Sequence, residues 1–142
     1  MSESENAAII RRWFEKGWNQ RNADLINELF APTFRAEGGM HGVLDRLAYK
    51  QYFEAVTSAS NDLQCEVVEL MDADEYVISK IISKGTHSGT VSGIEATGEF
   101  ITTEIIDVWK IVDGLIVERR NADFDNSGIG EQINQRLKFV PE

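Results

Sequence analysis

The chain has 142 residues with 42% hydrophobic content, the length of one domain and enough apolar side chain for one substantial core. A formal charge of −10 excludes a general binder of nucleic acid or anionic membrane, because either needs a field of opposite sign, whereas a small neutral or apolar ligand is compatible with it. A single cysteine, Cys65, excludes an internal disulfide. No stretch approaches the ~20 apolar residues of a membrane span, so no membrane partner is expected.

The polar, acidic start from Met1 to Asn6 has no signal-peptide pattern, which makes the cytoplasm the expected location. His41 and His87 are the only histidines and lie far apart, so no metal site is expected.

In chain order, Ile10, Trp13, Phe14, Gly17 and Trp18 recur at the spacing of one buried helical face and predict a first helix. Asn22 is placed to cap a second short helix carrying Leu25, Ile26, Leu29 and Phe30, which Pro32 ends. Gly38, Gly39 and Gly42 mark a loop. Asp45 then caps a third helix whose stripe is Tyr49, Tyr52, Phe53 and Val56.

The period changes at Leu63. Leu63, Cys65 and Val67 alternate with polar residues, and Tyr76 to Ser83 is rich in β-branched residues, so a hairpin is expected with its turn at Asp72–Glu75. A Gly-rich connection from Gly85 to Gly98 leads to two long strands, Phe100 to Val112 and Leu115 to about Asp125, joined at Asp113–Gly114. Ile129, Ile133 and Leu137 suggest a last helix. Helices first and antiparallel strands after predict an α+β fold, a curved sheet with helices over one face, in a single domain covering residues 1–142.

Register decides which polar groups of the closing hairpin share a face. A two-residue turn at Asp113–Gly114 pairs Val112 with Leu115 and sets Asp107 opposite Arg120. A longer turn with Gly114 left-handed pairs Ile111 with Leu115, Trp109 with Val117, Asp107 with Arg119, Ile105 with Asn121 and Thr103 with Asp123. The second is preferred, because it matches apolar with apolar and acid with base. One face then carries Trp109, Asp107, Arg119, Asn121 and Asp123, polar groups that need partners or a ligand if the face is buried. On a solvated face the same residues form an ordinary ion pair contributing no more than about 1 kcal/mol.

The segments Trp18-Asn19-Gln20-Arg21-Asn22, Gly85-Thr86-His87-Ser88-Gly89, Gly93-Ile94-Glu95-Ala96-Thr97-Gly98 and Ile106 through Glu118 resemble the SnoaL-like polyketide (ester) cyclases of the nuclear-transport-factor-two-like superfamily. The resemblance spans nearly the whole chain. It implies a cone-shaped curved antiparallel sheet with N-terminal helices packed on its concave face, a pocket inside the cone for a small-molecule substrate, no cofactor, and a homodimer formed through the convex sheet. Cyclases of this family close a ring by intramolecular aldol condensation, with an aspartate near the end of the last long strand as acid/base in a run Ile-Val-Glu-His-Trp-Asp. Here the run is Ile116-Val117-Glu118-Arg119-Arg120-Asn121, so an amide stands at the acid/base position, and an amide exchanges no proton at neutral pH.

Four residues are therefore candidates for chemistry. Asp107 lies between Ile106 and Val108 and serves either as a base or as half of an ion pair, burial raising its pKa and Arg119 lowering it. Arg119 can hold an oxyanion, Asp123 can replace the missing carboxylate, and His87 brings an imidazole, a common acid/base group, into a Gly-rich turn. Asn121, Trp18, Asn19, Phe53 and Trp109 are the candidate ligand-binding residues, the amide by hydrogen bonds and the rings as pocket wall.

The expected function is cofactor-independent acid/base chemistry on a small apolar carbonyl compound, an aldol-type cyclisation or an isomerisation. The alternatives are a non-catalytic ligand-binding or dimerisation module, and water activation of the epoxide hydrolase kind through Asp107, Arg119 and Asp123.

Overall fold

The computed structural model describes residues 3–37, 43–91 and 93–125, the last four of these by backbone alone. Helix α1 runs over Glu5–Arg12; Ser4 caps it by accepting the Ala7 N–H at 3.0 Å. It continues as a π-helical turn, Trp13–Trp18, closed by bonds from Asn19 N–H to the Phe14 carbonyl and from Asn22 N–H to the Gly17 carbonyl. Gly17 makes room for this turn: a Cβ there would lie 2.3 Å from Cε3 of Trp13, inside any allowed contact.

The short helix α2, Asp24–Leu29, follows, with the Asn22 side chain accepting the Asp24 N–H. Its end differs from expectation. Phe30 is already the first residue of a strand, β1, Phe30–Glu37, which hydropathy spacing does not announce. Pro32 has no N–H to give a ladder, and the pairing of β1 is irregular between Phe30 and Arg35. A two-residue strand β2, Leu44–Asp45, leads into α3, Arg46–Ala59, which Asp45 caps as expected by accepting the Ala48 N–H at 2.9 Å.

The remaining strands are β3 (Gln64–Ala73), β4 (Tyr76–Thr86), β5 (Phe100–Val112) and β6 (Leu115–Asp125), and the two expected hairpins are β3–β4 and β5–β6. The six strands form one curved, unclosed sheet in the order β2-β1-β6-β5-β4-β3. Every neighbouring pair is antiparallel except β1 with β6, so the expected curved antiparallel sheet carries one parallel seam. Among the described residues no helix is long and apolar enough to cross a membrane. The expected last helix and the loop at 38–42 lie outside the described residues.

Alternation along β4 and β5 sorts side chains between two environments. Val77, Ser79 and Ile81 on β4 and Thr103, Asp107, Trp109 and Ile111 on β5 are buried, whereas Lys80, Lys84 and Glu104 face out with the half-covered Ile78, Ile82, Ile106 and Val108. The buried face joins Ile10, Trp13, Leu25, Ile26, Phe30, Phe34 and Phe53 in one core cluster. The helices therefore cover the concave face, and the site lies where that packing is incomplete.

Candidate functional site

A cavity of about 90 Å³ opens between the π-helical turn, α3 and the inner face of the sheet. Phe14 and Trp18 reach it from the π turn, Tyr49, Tyr52 and Val56 from α3, Leu63 and Cys65 from the start of β3, and Ile81 and Ser83 from β4. Ile105, Asp107 and Trp109 of β5 and Arg119 and Asn121 of β6 complete the wall. Among the described residues its charged groups all come from the closing hairpin.

A tight turn and the bulge beside it set that convergence. Asp113 (φ 52°) and Gly114 (φ 78°) form the two-residue turn, pairing Val112 with Leu115 and Ile111 with Ile116. A first register shift follows, after which Lys110 pairs with Glu118, Trp109 with Arg119, and Asp107 with Asn121. A second shift pairs Ile106 with Asp123. The preferred register is therefore corrected: the turn is the two-residue one, and Asp107 stands opposite Asn121, not Arg119. Asp107, Trp109, Arg119 and Asn121 still share the inner face. Asp123 pairs outside that parity, and its side chain lies outside the described residues.

Asp107 and Arg119 are 6% and 8% exposed, so both ions have left bulk water. Arg119 Nη1 stands 3.7 Å from Asp107 Oδ1, too long for a strong charge-assisted bond, and its Nε is buried with no partner among the described residues. The guanidinium also lies 5.8 Å from the centre of the Tyr49 ring. Asn121 donates its Nδ2–H to Asp107 Oδ1.

Burial pushes the Asp107 carboxyl up to about 6, against the opposing pull of the Arg119 charge and the Asn121 hydrogen bond. Burial also raises the pKa of the Tyr49 and Tyr52 hydroxyls, which Arg119 partly offsets. The Cys65 thiol is pushed up to about 12 by burial, so it stays protonated and is a poor nucleophile. Among the described residues the ensemble offers a carboxylate titrating near neutrality, a fixed cation with an unused donor, and a wall of rings. This combination suits proton transfer to and from a molecule on which negative charge develops.

The SnoaL-like polyketide cyclase model matches residues 8–133. The chain belongs to the SnoaL-like polyketide cyclase family. Its fold is similar to that of a protein from Jannaschia sp. CCS1 assigned as a SnoaL-like polyketide cyclase, with TM-score 0.79 and 15% identity over 95% of this chain and 97% of that one. IdmH from Streptomyces antibioticus, assigned as a polyketide cyclase, superposes with TM-score 0.75 and 19% identity over 94% and 99%. AclR from Streptomyces galilaeus, assigned as a hydroxylase, superposes with TM-score 0.77 and 22% identity over 87% and 77%. No curated protein matches the sequence. At these identities the neighbours establish the cone-like fold of this SnoaL-like chain and leave its chemistry to its own residues.

Of the residues singled out from sequence, Asp107, Arg119, Asn121, Trp18 and Trp109 meet at the cavity of this family member. Three others do not line it. Phe53 is 1% exposed and sits behind Trp18, ring centres 4.6 Å apart, supporting the wall from within the core. Asn19 spends its amide on β3: Nδ2 donates to the Cys65 carbonyl at 2.9 Å and Oδ1 accepts the Cys65 N–H at 2.6 Å, as a neighbouring strand would.

His87 is buried with Nδ1 accepting the Thr97 N–H and lying 2.9 Å from Thr97 Oγ1, so it orders the Gly-rich connection. Tyr49 and Tyr52, expected on the buried stripe of the third helix and not singled out for the site, also line the cavity. The available signal was hydroxyl-bearing rings on a stripe where Phe or Leu would pack equally well.

Proposed function

We propose that this SnoaL-like chain is a cofactor-independent enzyme that moves a proton on a small carbonyl compound, with Asp107 as the acid/base and Arg119 as the oxyanion partner. The observation that supports it is a buried carboxylate with a pKa raised to about 6 and a buried guanidinium with an unused N–H on the same ring-lined cavity.

A ketone or ester with an activated C–H lodges its apolar body among Trp18, Tyr52 and Trp109. Asp107, ionised near neutral pH, takes the C–H proton, and the C–H electron pair moves into an enolate whose oxygen carries the new charge. Arg119 stabilises that oxygen in a site from which water is largely excluded. The enolate carbon then adds to a second carbonyl of the same molecule, which takes the proton from Asp107 as it becomes a hydroxyl; in an isomerisation the proton returns to a different carbon. Either way the carboxylate is regenerated. A pKa near the working pH suits a group that must take and return the proton.

The test is turnover by the Asp107→Asn protein of whichever carbonyl compound the wild type converts in a substrate screen. Loss of roughly 10²–10⁴-fold in kcat/KM is expected, the usual contribution of a general base. Unchanged turnover by a variant with native circular dichroism would remove Asp107 from the chemistry. A ligand that raises Tm with no product from the wild type would instead favour a binding module.

A further inference from the structure

Asp107 is not held symmetrically. Asn121 Nδ2 donates to Oδ1, and Arg119 Nη1 approaches that same Oδ1 at 3.7 Å; among the described residues neither oxygen has another recorded partner. The direct cross-strand pairing of Asp107 with Asn121 depends on the register shift between Lys110 and Ile111, without which the two-residue turn would set Asp107 opposite Arg120.

We propose that Asn121 is a positioning residue for Asp107: by anchoring Oδ1 it leaves Oδ2 as the atom that exchanges protons with a molecule in the cavity. This inference rests on the acid/base role of Asp107. It gives the amide a task that an aspartate at the same position could not perform, since an ionised carboxylate only accepts hydrogen bonds and would repel Asp107 at this distance. Asn121 cannot exchange a proton, so it holds its partner in one orientation at every pH.

The same hydrogen bond favours the charged form of Asp107 and keeps a buried carboxyl from rising further. Among the described residues the other titratable groups facing Asp107 are Arg119 on β6 and Tyr49 and Tyr52 on α3, with Cys65 of β3 on the same cavity wall. The two hydroxyls and the thiol are pushed up in pKa by burial and stay neutral through the range in which Asp107 titrates. From the π turn only Phe14 and Trp18 face the cavity, and neither titrates.

The deciding measurement needs no substrate. Carbon-13 NMR of the side-chain carboxyls follows each Asp through a pH titration, with the Asp107 signal identified by its absence in Asp107→Asn. In the wild type its midpoint is expected at about 6. In Asn121→Leu, similar in size but without a donor, the midpoint should move up by on the order of one pH unit, a typical change on losing a hydrogen bond to the charged form. The acid limb of the kcat/KM profile should move with it. In Asn121→Asp two coupled steps should replace the single one.

An Asp107 midpoint unmoved in Asn121→Leu would overturn the proposal, whatever the activity. If Asn121 instead binds substrate directly, Asn121→Leu will raise KM and leave the pH limb in place. A wild-type midpoint near the ordinary carboxylate value would count against the acid/base role itself while the comparison of the two proteins still reports on Asn121. Should Asn121→Leu fail to fold, Asn121→Ala, smaller and equally without a donor, gives the same comparison.

Discussion

Strands β4, β5 and β6 carry an ion pair on each of their faces, and the two pairs have nearly the same length. On the outer face Lys80 Nζ stands 3.5 Å from Glu104; on the inner face Arg119 Nη1 stands 3.7 Å from Asp107. What separates them is water. The outer side chains keep 40% and 46% of their exposure, the inner ones 10% and 9%. In the outer pair, solvent screens the attraction and satisfies every unused donor and acceptor, so the charges have no further need. In the inner pair each ion has lost its hydration, the carboxyl titrates near neutrality, and a guanidinium N–H is left over. Charge separation is common to both faces, and desolvation is what distinguishes the inner pair, to which the proposed chemistry is assigned.

The strongest way to break this contrast is Arg119→Leu. Removing one partner of a buried pair leaves the other uncompensated, and about 3–5 kcal/mol of folding stability should be lost at pH 8. Asp107 can escape by taking up a proton, so the loss should shrink on acidification. Urea unfolding at the two pH values measures this. A loss under ~1 kcal/mol at pH 8 would mean that the inner pair is as well solvated as the outer one.

The pH dependence of the wild type sharpens the same point. An ordinary carboxyl in the unfolded chain titrates near ~4, and Asp107 in the fold at about 6. Between these values the folded protein holds a proton that the unfolded chain has released. The contribution is therefore fully present below about pH 4, falls as pH rises through about 6, and is flat beyond, a change of roughly 3 kcal/mol. Other groups titrate in the same window, so the quantity to measure is the difference between wild type and Asp107→Asn. A difference that does not vary with pH would show that the carboxyl is not desolvated.

Which side chains join the inner face was legible in the sequence, although the pairing was not. The preferred register set Asp107 opposite Arg119, and the structure sets it opposite Asn121, a slip of two residues. Because side chains alternate with period two, such a slip leaves every residue on its face, and Asp107, Arg119, Asn121 and Trp109 stayed together. The second shift has the other parity and pairs Asp123 with Ile106. Bulges depend on how a strand must bend over its neighbours, and no local run of residues records that.

For a similar reason strand β1 was hidden: its pairing with β6 is parallel and distant in sequence, and its Pro32 is a residue that argues against a strand. Helix α3 was legible because its signals, the Asp45 cap and the spacing of Tyr49, Phe53 and Val56, are local. Asn19 and His87 misled for a related reason, since a polar residue beside an apolar stripe is bonded to backbone as readily as to a ligand.

The smallest effect is expected on the outer face, and its smallness is itself informative. A double-mutant cycle with Lys80→Met and Glu104→Gln should give a coupling of about 0–1 kcal/mol at low salt, and less at roughly 1 M salt, where the screening length falls to about 3 Å. The corresponding cycle on Arg119 and Asp107 should keep most of its coupling at the same salt, because ions cannot enter the space between the charges. If both couplings fall together, the inner pair is reached by solvent, and the raised pKa of Asp107 loses its physical cause. If only the outer one falls, two pairs of like length have been separated by hydration alone, and it is hydration that gives Asp107 an acidity suited to catalysis.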